Sequence, residues 1–328
     1  MKKNEFKSLN KILKKELQNQ SVVALVNAAQ GFMNIVDGVL EIPVNIEEQQ
    51  FSEVNTFSFL NAERFLTNTN PIFCREYYRM KRNGEIHTSR NFSGIASCDL
   101  YTGELWLGRS DTVQDDLFMV HEFIHHLNLL PVNQNKDVDQ KNVLRTLFGE
   151  SLSMFGELNY ASSIKEDNLR KDAQKREVQI MSDAYDCAKK FKVEMFLIDL
   201  YKKHGELSEE IIKEAIAQCE DLELALLVNE KYEEIINGIT GWGANLKFDF
   251  YLKYVLGAVV GYHIYDLGCE VEDIWYRMAI VCRRMYELSI DEFCSLFRID
   301  FNNGMLIDKY RDKVNGISKI FNGEEKKV

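Results

Sequence analysis

The run His121-Glu122-Phe123-Ile124-His125 holds three side chains able to do chemistry, at a spacing that brings them together. Two histidines four residues apart lie on one face of an α-helix, so both imidazoles can bind one metal ion. Glu122 stands about 100° round the helix from His121, beside such an ion and not on it. From there its carboxylate can take a proton from a zinc-bound water. The competing reading makes His121, His125 and His126 ordinary helix residues with local hydrogen bonds.

A catalytic zinc site needs a third protein ligand and one open position. The segment Asn142 to Tyr160 is helical by its periodicity, with Val143, Leu147, Met154 and Leu158 in one stripe. Glu150 and Glu157 fall within about 20° of each other on that helix. Carboxylates among so many apolar neighbours are costly to bury unpaired, and a cation offsets the cost. Gly149, Ser153 and Gly156 form a ridge of small side chains that lets another helix come close. Glu150, 25 residues after His125, is the expected third ligand. Glu157, one heptad on, suits an acceptor that orients a ligand imidazole. On the competing reading both glutamates lie on a solvated helix face.

These segments resemble the thimet oligopeptidase and oligoendopeptidase F family of zinc peptidases. The resemblance rests on His-Glu-x-x-His followed by Glu150-Ser-Leu-Ser-Met-Phe-Gly-Glu157. Upstream, Ser93-Gly94-Ile95-Ala96-Ser97-Cys98, then Gly103-Glu-Leu-Trp-Leu-Gly108, then Asp115 six residues before His121, are similar too. Phe250-Tyr251-Leu-Lys-Tyr254-Val-Leu-Gly257 is similar to the family's tyrosine-rich segment. The likeness covers roughly residues 70 to 290, in patches. It implies a mainly α, multi-helix, zincin-like catalytic domain with a small β-sheet beside the active-site cleft. It implies Zn2+ on His121, His125 and Glu150, Glu122 as base, and Tyr254 or Tyr251 donating to the oxyanion of a peptide substrate.

The chain also departs from the family pattern. Ile124 stands where the family has Gly, and Asn128 where it has His. The family's upstream His is missing from Trp242-Gly-Ala-Asn245-Leu, where Asn245 can donate a hydrogen bond but cannot become a cation. These departures leave open a descendant that keeps zinc and binds peptides without hydrolysing them.

The elements around these residues follow from patterning. Leu117, Val120, Ile124 and Leu127 give the motif helix an apolar face, and Asp111, Asp115 and Asp116 crowd its positive N-terminal end. Pro131 is the expected stop. Further helices are expected near 140–163, 167–204, 208–236, 246–267, 270–287 and 290–298, with an amphipathic one from about Phe6 to Met33. Between about 70 and 108, β-branched and aromatic residues with turns at Asn83-Gly84 and Thr102-Gly103 favour a small sheet. Phe92 to Asp99 is the candidate edge strand for an extended peptide, with Gly94, Ile95 and Ala96 as substrate contacts. An internal strand with a bulge at Gly94 is the alternative. Lys165 to Glu177 reads as a solvated helix face. The expected organisation is an N-terminal helical segment, 1–69, packing on a catalytic domain, 70–322, with a frayed tail, 323–328.

Composition narrows the class. Hydrophobic content of 45% with 28% charged residues is ordinary for a globular chain. A net charge of −11 argues against nucleic acid as a partner. Seven dispersed cysteines fit a reducing compartment better than a disulfide framework, with Cys269 and Cys282 as core thiols. No run approaches the ~20 apolar residues of a membrane span. The expectation is a cytoplasmic protein that acts on peptides, away from membranes.

Overall fold

The computed structural model describes residues 3–44, 46, 50–52, 54–92, 95–99, 101–134, 143–241 and 243–321. Over these the chain is mainly helical, with fourteen α-helices and one three-stranded sheet. In chain order come α1 (Lys3–Glu16), α2 (Gln20–Gln30), α3 (Met33–Leu40), α4 (Leu60–Thr69) and α5 (Pro71–Asn83). Strands β1 (Ile86–Ser89), β2 (Ala96–Cys98) and β3 (Leu105–Gly108) precede α6 (Val113–Gln134) and α7 (Val143–Ser163). Then follow α8 (Asp167–His204), α9 (Glu209–Ala217), α10 (Leu222–Thr240), α11 (Phe248–Glu270), α12 (Ile274–Arg284), α13 (Ile290–Phe297) and α14 (Met305–Phe321). No single helix among the described residues is long and apolar enough to cross a membrane. The tail 323–328 lies outside the described residues.

Internal contacts divide the chain into two units, each built from two stretches of sequence. One unit takes Met1–Pro43 and Asp183–Val255. Its N-terminal helix is tied by Asn10, whose side chain donates to the Leu207 carbonyl at 2.9 Å and accepts from the Leu207 amide at 2.8 Å. Lys192 reaches Asp37 at 2.8 Å, and the buried Glu194 accepts the Lys247 amide at 2.7 Å.

The other unit takes Val44–Ser182 and Leu256–Val328. Trp275 is the hub of its aromatic core, with Phe155, Phe65 and Phe73 at centroid distances of 4.7, 5.8 and 5.9 Å. The sheet order is β1-β3-β2, with β1 parallel and β2 antiparallel to β3. Leu105 and Leu107 of β3 are buried, and Trp106 turns to the outer face, where it stacks on His87 at 4.1 Å. Gly108 lets the chain entering β2 lie against β3. A Cβ there would overlap the Phe92 carbonyl and sit 2.8 Å from the Ile95 oxygen.

Several elements differ from expectation, each for a local reason. Residues 71–83 form helix α5, not the start of the sheet, because Phe73, Tyr77 and Met80 are spaced for one buried helical face. Asn70 caps it, accepting from the Ile72 amide at 2.8 Å, Pro71 opens it, and Gly84 ends it with φ 72°. Asn83-Gly84 is thus a helix end and not a hairpin turn. Helix α6 runs through Pro131 to Gln134, since a proline near a helix end forfeits one internal hydrogen bond and can be absorbed there. The expected 208–236 helix is two, because the Asp221 carboxylate accepts the Leu224 amide at 3.0 Å and starts α10 afresh. Asn19 does the same between α1 and α2, accepting the Ser21 amide. Cys282 is buried, but Cys269 is exposed at the end of α11.

Candidate metal centre

Helix α6 is fixed at its start by two buried carboxylates. Asp115 accepts the Ser110 amide at 2.9 Å and the Asp111 amide at 2.8 Å. Asp116 accepts the Asn55 side chain at 2.5 Å and the Ala62 amide at 3.2 Å. Burial pushes the Asp116 pKa up to about 6, against the pull of Tyr160 and its other donors. Two turns further on, the motif residues reach the facing helix α7.

His121 Nε2 and His125 Nε2 lie 2.9 Å apart, and Glu150 Oε2 is 3.2 Å from the first and 3.4 Å from the second. The three form a group that could hold a metal ion. Zinc with bonds of about 2.0–2.2 Å sets tetrahedral ligand atoms about 3.3–3.5 Å apart, so the group needs only slight spreading. Glu150 is 4% exposed, not on a solvated face. Behind the ligands, His121 Nδ1 lies 2.5 Å from Glu157 Oε1. The pair is close without meeting hydrogen-bond geometry; a proton on Nδ1 facing Glu157 would leave the Nε2 lone pair toward Glu150 and His125.

The charges here call for a cation. Burial alone would lower the His121 pKa, but the Glu157 and Glu150 carboxylates outweigh it and hold the pKa well up. Two carboxylates this deep need positive charge, which a protonated His121 or a metal ion on the imidazoles could supply. Glu157 has a second cation of its own. Arg176 of α8 donates through Nε to Glu157 Oε2 at 3.0 Å and through Nη2 to Oε1 at 3.4 Å. Burial would raise the Glu157 pKa, yet Arg176 and His121 bring it down to about 2. Arg176 belongs to the stretch expected to be a solvated face. That expectation fails for the residues of α8 turned inward: Asp172 is 1% exposed and paired with Lys175 at 2.5 Å.

Glu122 is buried next along α6, close enough to Cys98 of β2 to act on its thiol. Burial first, and then the Glu122 charge, push the Cys98 pKa far up. The base candidate and the strand expected to meet a peptide are therefore neighbours. β2 is an edge strand. The Ile95 carbonyl accepts from Gly108, the Asp99 amide donates to Glu104, and Ser97 lies opposite Trp106. Antiparallel alternation then turns the main-chain groups of Ala96 and Cys98 away from β3. Ile95 is 60% exposed at the strand's entry. Gly94 lies outside the described residues.

Helix α11 approaches α7 through small residues that the sequence reading did not single out. A Cβ on Gly257 would sit 2.9 Å from Glu150 Cβ, and one on Gly261 3.0 Å from Met154 Cβ. Ser151 also donates to the Leu256 carbonyl at 3.1 Å. The signal available in sequence was the four-residue spacing of Gly257 and Gly261 in an apolar helix. Tyr251, Tyr254 and Asn245 belong to the unit formed by 1–43 and 183–255. Within it Tyr251 is buried, and burial ahead of the Glu194 charge pushes its pKa up to about 12. Tyr254 carries Lys253 Nζ 5.0 Å over its ring, and Asn245 is exposed. Comparison of the chain with protein-family models, with curated proteins and with solved structures finds no match.

Proposed function

We propose that the chain is a zinc-dependent metallopeptidase that hydrolyses oligopeptides, with a zincin-like catalytic unit akin to the oligopeptidases named above. The observation that carries this reading is the convergence of His121, His125 and Glu150 to 2.9, 3.2 and 3.4 Å, with the buried Glu122 next to His121 in the chain. A zinc ion held by those three side chains would supply the Lewis acidity that peptide hydrolysis at neutral pH requires. Glu122 takes the proton from the attacking water and returns it to the leaving amine. Ala96 and Cys98 hold the substrate backbone extended through their outward main-chain groups. By resemblance alone, Tyr254 or Tyr251 donates to the oxyanion, a contribution worth about 10²–10³ in kcat where comparable donors are removed.

The test is cleavage of a diverse peptide mixture by zinc-loaded wild type and Glu122→Gln, read by mass spectrometry. Wild type is expected to cleave and the variant to keep its zinc but lose nearly all turnover. Equal turnover by the two proteins would sink the mechanism. Zinc bound with no cleavage by either would favour a peptide-binding module derived from such a peptidase.

A further inference from the structure

We infer that Arg176 is a positioning residue of the metal centre, clamping the Glu157 carboxylate so that it fixes the His121 ring with Nε2 turned to the metal. This rests on the metal-site reading proposed above and extends it to a residue outside the ligand set. Arg176 ties its own helix to two others. Its Nε and Nη2 take the two oxygens of Glu157 on α7 at 3.0 and 3.4 Å. Its guanidinium carbon lies 5.1 Å over the ring of Phe118, one turn before His121 on α6. Its Nη1 donates to Gln179 on α8 at 3.4 Å.

A carboxylate that only touched a histidine could swing or share its oxygens among several donors. Glu157 is 1% exposed, and both of its oxygens are engaged by the one guanidinium, so its direction toward His121 Nδ1 is set. The planar fork matters, because a lysine would bring the charge without the two-point grip. Without any cation, a carboxylate this deep would be left against the imidazole alone, and the ring would lose its fixed tautomer and tilt. Phe118 lies against the guanidinium face and adds a cation–π attraction.

The experiment uses the full chain with zinc alone as probe. Zinc affinity is measured by chelator competition for wild type, Arg176→Met and Arg176→Lys, each first shown to be folded by circular dichroism. In parallel, imidazole nitrogen–proton correlation spectra of the zinc-loaded proteins report the Nδ1 proton of His121. Arg176→Met is expected to bind zinc roughly ten- to a hundredfold more weakly and to lose the slowly exchanging Nδ1 proton signal. Arg176→Lys should recover part of both. Should Arg176→Met not fold, Arg176→Lys decides alone, with an expected weakening of several-fold. Folded variants with zinc affinity within about twofold of wild type and an unchanged Nδ1 signal would overturn the inference. Wild type that binds no zinc would overturn it together with the metal reading. Zinc binding without peptide cleavage would sink only the peptidase reading and leave the Arg176 result standing.

Discussion

Ile124 Cδ1 occupies the space that a side chain at Gly156 would need. A Cβ built there would overlap Ile124 and come within 3.2 Å of Val120 Cγ1. The bulk that Ile124 brings to the metal helix is thus taken up by a missing side chain on the facing one, and α6 and α7 meet with their ligands in reach. Gly156→Ala must therefore turn the Ile124 side chain aside and press on Val120, at a cost of about 1 kcal/mol in an off-rotamer Ile124, with the helices left in place. Gly149, on the same ridge, has nothing within 4 Å of its Cβ direction. There Ala should be neutral or add up to about 1 kcal/mol through helix propensity. Denaturant unfolding of the two variants separates them. A stability loss at Gly149 equal to that at Gly156 would refute the assignment of the contact.

Gly257 controls Glu150 from behind. With only 2.9 Å between a Cβ at Gly257 and Glu150 Cβ, Gly257→Ala must displace either α11 or the ligand backbone. Zinc affinity should fall without any ligand being replaced. Chelator competition against wild type checks this, and an unchanged affinity would mean that α11 gives way.

Zinc should stabilise the folded chain, because its ligands come from two helices that must both be formed and docked. At a hundredfold excess over the dissociation constant the gain is about 2.7 kcal/mol. Calorimetry with zinc and with chelator should show it as a higher Tm. Glu150→Ala should lose most of that difference. If zinc raises the Tm of Glu150→Ala as much as that of wild type, Glu150 is not the third ligand.

Glu194 should make stability fall as pH rises. Burial, ahead of all other causes, raises its pKa from 4.5 to about 8, with Asp249 adding to the rise and the Lys247 amide opposing it. The folded state then holds a proton that the unfolded state has released. Its contribution is fully present below pH 4.5 and is lost as pH rises through about 8. Glu194→Gln keeps an acceptor for the Lys247 amide and should flatten that slope. Denaturant unfolding between pH 5 and 8, values chosen to span the window, makes the comparison. Parallel slopes for variant and wild type would count against it.

The site was more legible than the fold around it. Helical spacing puts His121 and His125 on one face and Glu150 and Glu157 on another, because a helix turns spacing in sequence directly into position on a face; that the two faces meet is a tertiary fact. Arg176 was not legible, since a charged run gives no sign of which side faces a buried carboxylate until the partner helix is placed. Helix α14 was missed, α3 and α4 had no bounds of their own within the helical segment 1–69, and α5 was read as sheet. Its aromatic residues suit either structure, and the decisive signals were the cap at Asn70 and the start at Pro71. Gly257 was seen only as the end of a tyrosine segment. Its closeness to Glu150 is a tertiary fact that no local pattern encodes.

Under the proposed peptidase reading, the alternation along β2 has a consequence for how substrates would be recognised. Along β2, Ala96 and Cys98 turn their main chains outward, so a peptide lying there would be gripped at every second residue, by groups common to nearly all amino acids. Such a grip ignores most side-chain identities. It rejects whatever cannot present a straight backbone with free amides: a proline or an N-methylated residue at a gripped position, or a segment already committed to a helix. The strand would thus sort peptides by conformation and backbone chemistry more than by sequence, a broad reader with a narrow set of exclusions.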